Sequence, residues 1–95
     1  MTGVAPGWLR PDWPAPPHVR ALFTTRGESA AHGASAAPFD FFNLGDHVGD
    51  DVAAVAANRA RLSAALGARP VFMNQVHGHD VRRLSPGMPD GATAD

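Results

Sequence analysis

The stretch Asp51-Val-Ala-Ala-Val-Ala-Ala-Asn-Arg-Ala-Arg-Leu-Ser-Ala-Ala-Leu66 carries the clearest secondary-structure signal in the sequence. Its larger apolar residues recur at helical spacing, and alanine fills most positions between them: Val52, Val55, Leu62 and Leu66. Gly67 follows the last of these and is a typical helix stop, while Asp50 precedes the stretch and is a preferred N-cap. The pattern therefore predicts one helix over residues 51–66.

Short strands are predicted on both sides of this helix. Residues 18–25 precede it, residues 70–76 and 80–84 follow it, and residues 92–95 could begin a further strand. In the strand at 70–76 the expected core-facing residues are Val71, Met73 and Val76. One helix with at least three short strands indicates an α+β fold.

The composition limits the size of the fold. A chain of 95 residues has room for one small domain, which buries only about 60 to 65% of the surface that its unfolded form exposes. Ten glycines and nine prolines in this length predict long loops, of which residues 28–40 are expected to be a mobile one. Residues 1–17 are expected to be an extended leader that Trp8 and Trp13 pin onto the core; a stacking platform for a base or sugar ring is the alternative. We expect the chain to be part of a longer protein.

Charge and cysteine usage exclude several classes of function. The net charge of −1 gives no electrostatic footprint for nucleic acid or for an anionic membrane. No apolar run approaches the roughly 20 residues that a membrane-spanning helix needs, so we expect a cytoplasmic protein. The absence of cysteine excludes a disulfide framework and thiolate chemistry within these residues.

His77 is the best candidate for chemistry. It ends the strand predicted at 70–76 and is followed at once by Gly78, an arrangement that often presents a side chain or the backbone to a ligand. A single structural hydrogen bond is the alternative role. The cluster Asp46, His47, Asp50 and Asp51 also contains metal-ligand types, but helix capping accounts for two of its four members.

Four segments together resemble the N-terminal part of the YfiH-type family, which is described variously as laccase-like polyphenol oxidase, purine nucleoside phosphorylase with adenosine deaminase activity, and peptidoglycan editing factor. The segments are Phe23-Thr-Thr-Arg-Gly27, Phe42-Asn-Leu-Gly-Asp-His-Val-Gly-Asp-Asp51, Asn58-Arg59 and Asn74-Gln-Val-His-Gly78. They occur in the family's order and at similar spacing. Residues 1–95 are therefore identified as an N-terminal fragment of one YfiH-like domain, with the leader at 1–17 and strand-loop-helix-strand-strand over 18–95.

The resemblance implies a single mixed α/β sandwich domain, longer than this chain, that binds one zinc through two histidines and a cysteine. The family's Gln-Val-His-Gly motif assigns the first histidine to His77, as metal ligand and catalytic residue. The other two ligands belong to Thr-Ala-Asp-Cys and His-Ala-Gly-Trp-Arg-Gly motifs, which are absent from residues 1–95. The tripeptide at 93–95 looks instead like the start of the family's earlier Ala-Asp-Ala strand.

The implied activity is that of a zinc-dependent purine nucleoside phosphorylase and adenosine deaminase, monomeric at full length, with the fragment itself inactive. Arg26 is the candidate clamp for phosphate, because it ends a predicted strand next to a glycine. Asn43, His47 and Gln75 are candidates for hydrogen bonds to ribose or base, or for support of the metal ligands. The alternatives are a peptidoglycan-precursor amidase, a laccase-like phenol oxidase with copper in place of zinc, and a non-catalytic binding module or degenerate remnant.

Overall fold

The computed structural model describes residues 7–95, which contain one helix and two short strands. Helix α1 is Val52–Leu66, strand β1 is Asn74–Gln75 and strand β2 is Thr93–Ala94. The two strands pair in parallel, with Asn74 opposite Thr93 and Gln75 opposite Ala94. This is a partial α/β domain. No helix among the described residues has the length and apolar character needed to cross a membrane.

The ends of α1 follow from their capping residues. Asp51 is the N-cap, and its carboxylate accepts a hydrogen bond from the Ala54 amide at 3.2 Å. At the other end Gly67 takes a left-handed conformation with φ of 66°, and its N–H donates to the Ser63 carbonyl at 3.0 Å. Glycine suits this position because it has no Cβ to clash there. The predicted helix is thus confirmed to within one residue at its start.

Asp50 is not the N-cap that the sequence predicted. Its carboxylate turns away from the helix and accepts hydrogen bonds from the Ser35 hydroxyl at 2.6 Å and the Asn43 amide at 3.1 Å. Its other oxygen accepts the Asp51 N–H at 2.7 Å. Of two adjacent aspartates, the second caps the helix, because the first is held by the preceding loops.

The buried face of α1 is rotated from the predicted one. Its buried residues are Ala54, Val55, Asn58, Leu62 and Ala65, whereas Val52 is 83% exposed. At about 100° per residue the buried positions share one arc, and Val52 lies to one side of it. The buried arc therefore includes an asparagine and excludes a valine.

The core is small and joins loops to the helix. Trp8 and Phe42 pack with their ring centroids 5.1 Å apart, and both rings belong to a cluster with Leu62 and Ala65 of the helix. Partly buried residues surround this cluster: Leu22, Leu44, Leu66 and Phe72. Trp8 thus anchors the described part of the leader, while Trp13 is 52% exposed; residues 1–6 of the predicted leader lie outside the described residues.

The predicted count of at least three strands is not confirmed. Within residues 18–25 only Phe23 pairs, in a single antiparallel bridge with Leu9, and residues 80–84 form no strand. The possible strand at 92–95 does form, next to β1. A strand requires a neighbour that pairs with consecutive residues. In the described part of the chain β1 and β2 pair in this way, whereas Leu9 and Phe23 form one isolated bridge.

The expected inward face at 70–76 is also wrong in part. Phe72 packs against the core, whereas Met73 is 45% exposed and Val76 is 36% exposed. Because successive side chains of an extended segment point to opposite faces, the burial of Phe72 turns its neighbour outward.

The loop at 28–40 is folded onto α1. Ser35 and Gly33 are buried, and the Ser35 N–H donates to the Phe41 carbonyl at 2.9 Å. The loop backbone passes so close to Phe41 that a Cβ on Gly33 would overlap the Phe41 carbonyl.

Hydrogen bonds also join the loop to the helix. The Ala34 N–H donates to the Asn58 side-chain oxygen at 2.8 Å, and Arg61 donates to the Ala31 carbonyl at 2.9 Å. The prediction of a mobile loop did not take account of these contacts.

Candidate functional site

His77 lies two residues after the end of β1, in a bend next to strand β2. The Val76 N–H donates to the Ala94 carbonyl at 2.9 Å, and the Gly78 N–H donates to Asp95 Oδ2 at 2.8 Å. The backbone is therefore held on both sides of His77. The imidazole itself is exposed and makes no hydrogen bond or ion pair with the other described residues, so its nitrogens are available to a ligand.

His77 could supply one ligand of a zinc site but not the whole site. Neutral imidazole nitrogen is a common zinc ligand, but protein zinc sites use three or four ligands. Within residues 7–95 no group of three histidine, cysteine, aspartate or glutamate residues could hold a metal ion. The cluster of Asp46, His47, Asp50 and Asp51 is not such a group. The described residues therefore do not complete a zinc site.

Arg26 and Asn43 line one open cavity of about 440 Å³, here called the Arg26 cleft. The other lining residues are Thr24, Pro38, Phe39, Asp40, Phe42 and Leu44. The Arg26 guanidinium is paired with Asp40: one amino group lies 3.3 Å from the carboxylate, and Nε donates to the Asp40 carbonyl at 2.8 Å. An incoming anion would compete with that carboxylate for the arginine.

The Asn43 side chain builds a turn. Its amide nitrogen donates to the Gly45 carbonyl and to the Asp50 carboxylate, each at 3.1 Å, and its oxygen accepts the Gly45 N–H at 3.1 Å. Both amide hydrogens and the carbonyl oxygen are thus engaged within the protein. Asn43 shapes the segment that leads to His47.

His47 and Gln75 line a second cavity of about 340 Å³, here called the His47 cleft. Its other lining residues are Leu44, Gly45, Asp46, Val48, Arg59, Phe72, Met73 and Asn74. His47 Nε2 lies 3.3 Å from Asp46 Oδ1, and the His47 side chain is 78% exposed. Gln75 Nε2 lies 3.5 Å from Asp95 Oδ1. The predicted site residues are therefore divided between two clefts, and His77 lines neither of these cavities.

Two residues that sequence reasoning did not assign to the site organise its walls. Asn58 in α1 donates from its amide to Ser35 Oγ at 2.9 Å and to the Asn43 carbonyl at 2.8 Å, and its oxygen accepts the Ala34 N–H at 2.8 Å. Arg59, the next residue, donates from Nε to the Leu44 carbonyl at 2.8 Å. A polar residue within the apolar stripe of a predicted helix, as Asn58 is, was the available signal.

Asp50 completes this polar network. The hydrogen bond from the Ser35 hydroxyl holds the pKa of the Asp50 carboxyl below its ordinary value, and bonds from the Asn43 amide and the Asp51 N–H act in the same direction. Partial burial opposes them by raising the pKa. Asp50 therefore remains ionised, and its carboxylate joins the loop that contains Ser35 to the loop that contains Asn43 at the start of α1.

Comparison with known proteins gives a consistent set of relatives. A family model described as multi-copper polyphenol oxidoreductase laccase matches residues 20–95. A purine nucleoside phosphorylase of Pseudomonas aeruginosa is 53% identical over 79 residues, which are 83% of this chain and 31% of that protein. The purine nucleoside phosphorylase YfiH of Escherichia coli is 46% identical over 77 residues, which are 79% of this chain and 30% of that protein.

A purine nucleoside phosphorylase of Mycobacterium tuberculosis is 65% identical over 66 residues, which are 66% of this chain and 25% of that protein. Among solved structures, a Neisseria meningitidis protein of the DUF152 family model superposes with a TM-score of 0.60 at 38% identity, covering 74% of this chain and 27% of that one. The chain thus spans between a quarter and a third of the length of these relatives.

Proposed function

The chain belongs to the family described as multi-copper polyphenol oxidoreductase laccase, and from this membership we propose that it is the N-terminal part of a zinc-dependent enzyme that phosphorolyses and deaminates purine nucleosides. The observation that carries the proposal is the placement of His77. Its exposed imidazole has no internal partner among the described residues. Backbone hydrogen bonds on either side of His77, from Val76 to the Ala94 carbonyl and from Gly78 to Asp95 Oδ2, hold its position. The relatives named purine nucleoside phosphorylase support the substrate class.

His77 would supply one nitrogen ligand, and the other two ligands would come from residues outside 1–95. When bound, zinc supplies Lewis-acid polarisation of the reacting centre and an activated water or phosphate. A single imidazole does not hold zinc tightly, so residues 1–95 alone are proposed to be inactive. Further ligands from the same polypeptide fit the relatives, of which this chain covers no more than a third.

The other site residues would bind substrate. Arg26 is proposed to clamp phosphate after exchanging Asp40 for the anion, since a guanidinium forms bidentate bonds with phosphate oxygens. His47 and Gln75 are proposed to hydrogen-bond ribose or base in the His47 cleft. Asn43, whose amide is engaged within its own turn, would act by holding the segment that carries His47. A monomeric, cytoplasmic protein remains the accompanying prediction.

The first test is to sequence the source locus beyond codon 95. The proposal expects an open frame that continues with a cysteine in a Thr-Ala-Asp-Cys context and a histidine in His-Ala-Gly-Trp-Arg-Gly. The full-length protein should then release hypoxanthine from inosine only when phosphate is present, and should convert adenosine to inosine. A stop codon directly after Asp95 would leave His77 without partners in its own chain and would sink the enzyme proposal.

The description of the family as multi-copper laccases favours one second candidate, a phenol oxidase. Zinc has no redox chemistry, so phenol oxidation requires copper in the intact protein. The type of metal in the purified full-length protein separates the two candidates. If the full-length protein turns over neither nucleosides nor phenols, the alternatives are a peptidoglycan-precursor amidase and a non-catalytic binding module.

A further inference from the structure

Arg59 connects three segments of the described structure through one mostly covered guanidinium. Its side chain is 21% exposed. Nε donates to the Leu44 carbonyl at 2.8 Å, and the central carbon lies 3.7 Å from the centroid of the Phe72 ring. The helix, the loop before it and the segment that leads into β1 therefore meet at this side chain.

The same guanidinium reaches the His47 cleft through Asp46. One of its amino groups lies 3.6 Å from Asp46 Oδ1, and the same carboxylate oxygen lies 3.3 Å from His47 Nε2. His47 and Asp46 are otherwise exposed, with 78% and 53% of their side chains accessible. A covered, stacked arginine thus holds an exposed carboxylate, and that carboxylate holds the imidazole at the cleft.

We propose that Arg59 and Asp46 are positioning residues that fix the His47 imidazole for hydrogen bonding to the base or ribose of a nucleoside in the His47 cleft. The proposal rests on the proposed function for its ligand, and on the contacts of Arg59 and Asp46 for its geometry. Exposed ion pairs are individually weak, because two free side chains must be ordered. Here Arg59 is already ordered by Phe72 and Leu44, so less entropy is lost when Asp46 joins it.

The charged residues of the His47 cleft indicate whether it binds phosphate or the nucleoside. The ionisable residues along its wall and the adjoining cavity are Asp46, Asp90, Arg59 and His47. The one guanidinium is already paired, and two carboxylates would repel a phosphate. Exposed amides of Asn74 and Gln75 complete the wall with neutral donors and acceptors. The cleft therefore suits a base or ribose.

The chemistry of arginine explains why lysine would not serve at position 59. The planar guanidinium stacks on Phe72 while Nε and a terminal amino group are directed to two different oxygens. A lysine ammonium is a single point that cannot stack and reach both acceptors together. Methionine at the same position would keep apolar contact with Phe72 and lose both polar contacts.

The test uses the full-length protein with Arg59→Met and Asp46→Asn, and Arg61→Met as the matched control. Arg61 lies on the same helix and donates to the Ala31 carbonyl at 2.9 Å, but it lines neither cleft. Each variant is treated with diethyl pyrocarbonate near neutral pH, and peptide mass spectrometry measures the rate at which each histidine is carbethoxylated. His79, which is exposed and outside the clefts, is the internal reference.

We expect the rate at His47 relative to His79 to rise about threefold in both variants, a change that matches a contact of ordinary surface strength. Asp46→Asn removes the carboxylate that lies beside the imidazole, and Arg59→Met removes the guanidinium that holds this carboxylate in place. The rate in Arg61→Met should equal that of the wild type. An unchanged ratio in a folded Arg59→Met variant overturns the proposal. If Arg59→Met unfolds, which a loss of the helical circular dichroism signal reveals, the surface variant Asp46→Asn decides instead.

Inosine binding, measured by calorimetry, tests the role in recognition. We expect Arg59→Met and Asp46→Asn each to raise the dissociation constant for inosine about tenfold, which corresponds to the loss of roughly one well-oriented hydrogen bond. The affinity of Arg61→Met should equal that of the wild type. Unchanged affinity in variants whose His47 has become reactive overturns the recognition role. Failure of the wild-type protein to bind inosine counts against the proposed function alone, since the histidine reactivities still decide the positioning role.

Discussion

The Asn58 side chain donates to the backbone carbonyl of Asn43 at 2.8 Å, and this bond ties the middle of α1 to the loop that carries the candidate site. The same amide group also donates to Ser35 Oγ, and its oxygen accepts the Ala34 N–H. Asn58 is 1% exposed. No buried side-chain nitrogen or oxygen of the described residues lacks a partner, so this polar centre is fully satisfied.

We expect Asn58→Leu to destabilise the protein by about 2 to 4 kcal/mol, because position 58 is buried and a leucine of similar size would leave the Ala34 N–H and the Asn43 carbonyl without their partner. Urea denaturation of the full-length protein measures the effect. Asn74→Ala is the control, since Asn74 is exposed and should change stability by no more than about 0.5 kcal/mol. Equal midpoints for Asn58→Leu and the wild type would contradict this account.

Gly33→Ala should be among the most damaging small substitutions. The added methyl group would overlap the Phe41 carbonyl, which is backbone and cannot move without loosening the loop from α1. We expect a loss of at least about 2 kcal/mol in the free energy of unfolding, by the mechanism of overpacking. Gly78→Ala is the matched control, because no atom of the described residues lies within 4 Å of the position its Cβ would take. Similar stability of the two variants would count against the close packing of the 28–40 loop.

Local sequence signals predicted the helix well and the strands poorly. The bounds of α1 depend on Asp51 and Gly67, whose capping chemistry acts within one turn. The strands depend on partners: β1 forms because Thr93 and Ala94 lie beside it, and alternation of residues along one segment carries no information about such a neighbour. Val81 is apolar and 95% exposed for the same reason, since alternation does not say whether another element covers a face.

The position of His77 in the fold was predictable because its sequence signal is local. The sequence predicted that His77 lies between the end of a strand and a glycine, and in the structure His77 lies after β1. The contacts of Arg59 with Leu44 and Phe72 span 15 and 13 positions, and those of Asn58 reach back to Ala34. Such contacts depend on how the loops return to the helix, which no local pattern specifies. The polar position of Asn58 within the apolar stripe was the one local signal of the polar network, and the partners of Asn58 and Arg59 were not predictable from the sequence.

Stability should fall at acid pH in part through Asp50. The pKa of Asp50 is lowered from 3.8, chiefly by the Ser35 hydroxyl, so the unfolded chain takes up this proton more readily than the folded protein. The resulting stabilisation is fully present above the unfolded pKa and is lost as the pH falls through the lower, folded pKa. We expect Asp50→Asn to be less stable than the wild type near neutral pH, with the difference narrowing below pH 3.8.

Urea denaturation at a series of pH values measures this convergence. Asp12→Asn is the control, because Asp12 is exposed and its substitution should leave stability within about 0.5 kcal/mol of the wild type throughout. A constant gap between Asp50→Asn and the wild type across the acid range would show that the Asp50 carboxylate does not carry this part of the pH dependence.

His77→Ala in the full-length protein should abolish tight zinc binding. Three protein ligands are the usual minimum for a catalytic zinc site, and removal of one from such a set leaves a pair that loses the metal to a chelator. Zinc content after dialysis against a chelator, determined by mass spectrometry of the metal, should fall from about one ion per chain to nearly none. His79→Ala is the control, since His79 is also exposed and lies only two positions further along the chain. Full zinc occupancy in His77→Ala would remove this residue from the metal site, while copper in the wild-type protein would redirect the assignment from nucleoside chemistry to phenol oxidation.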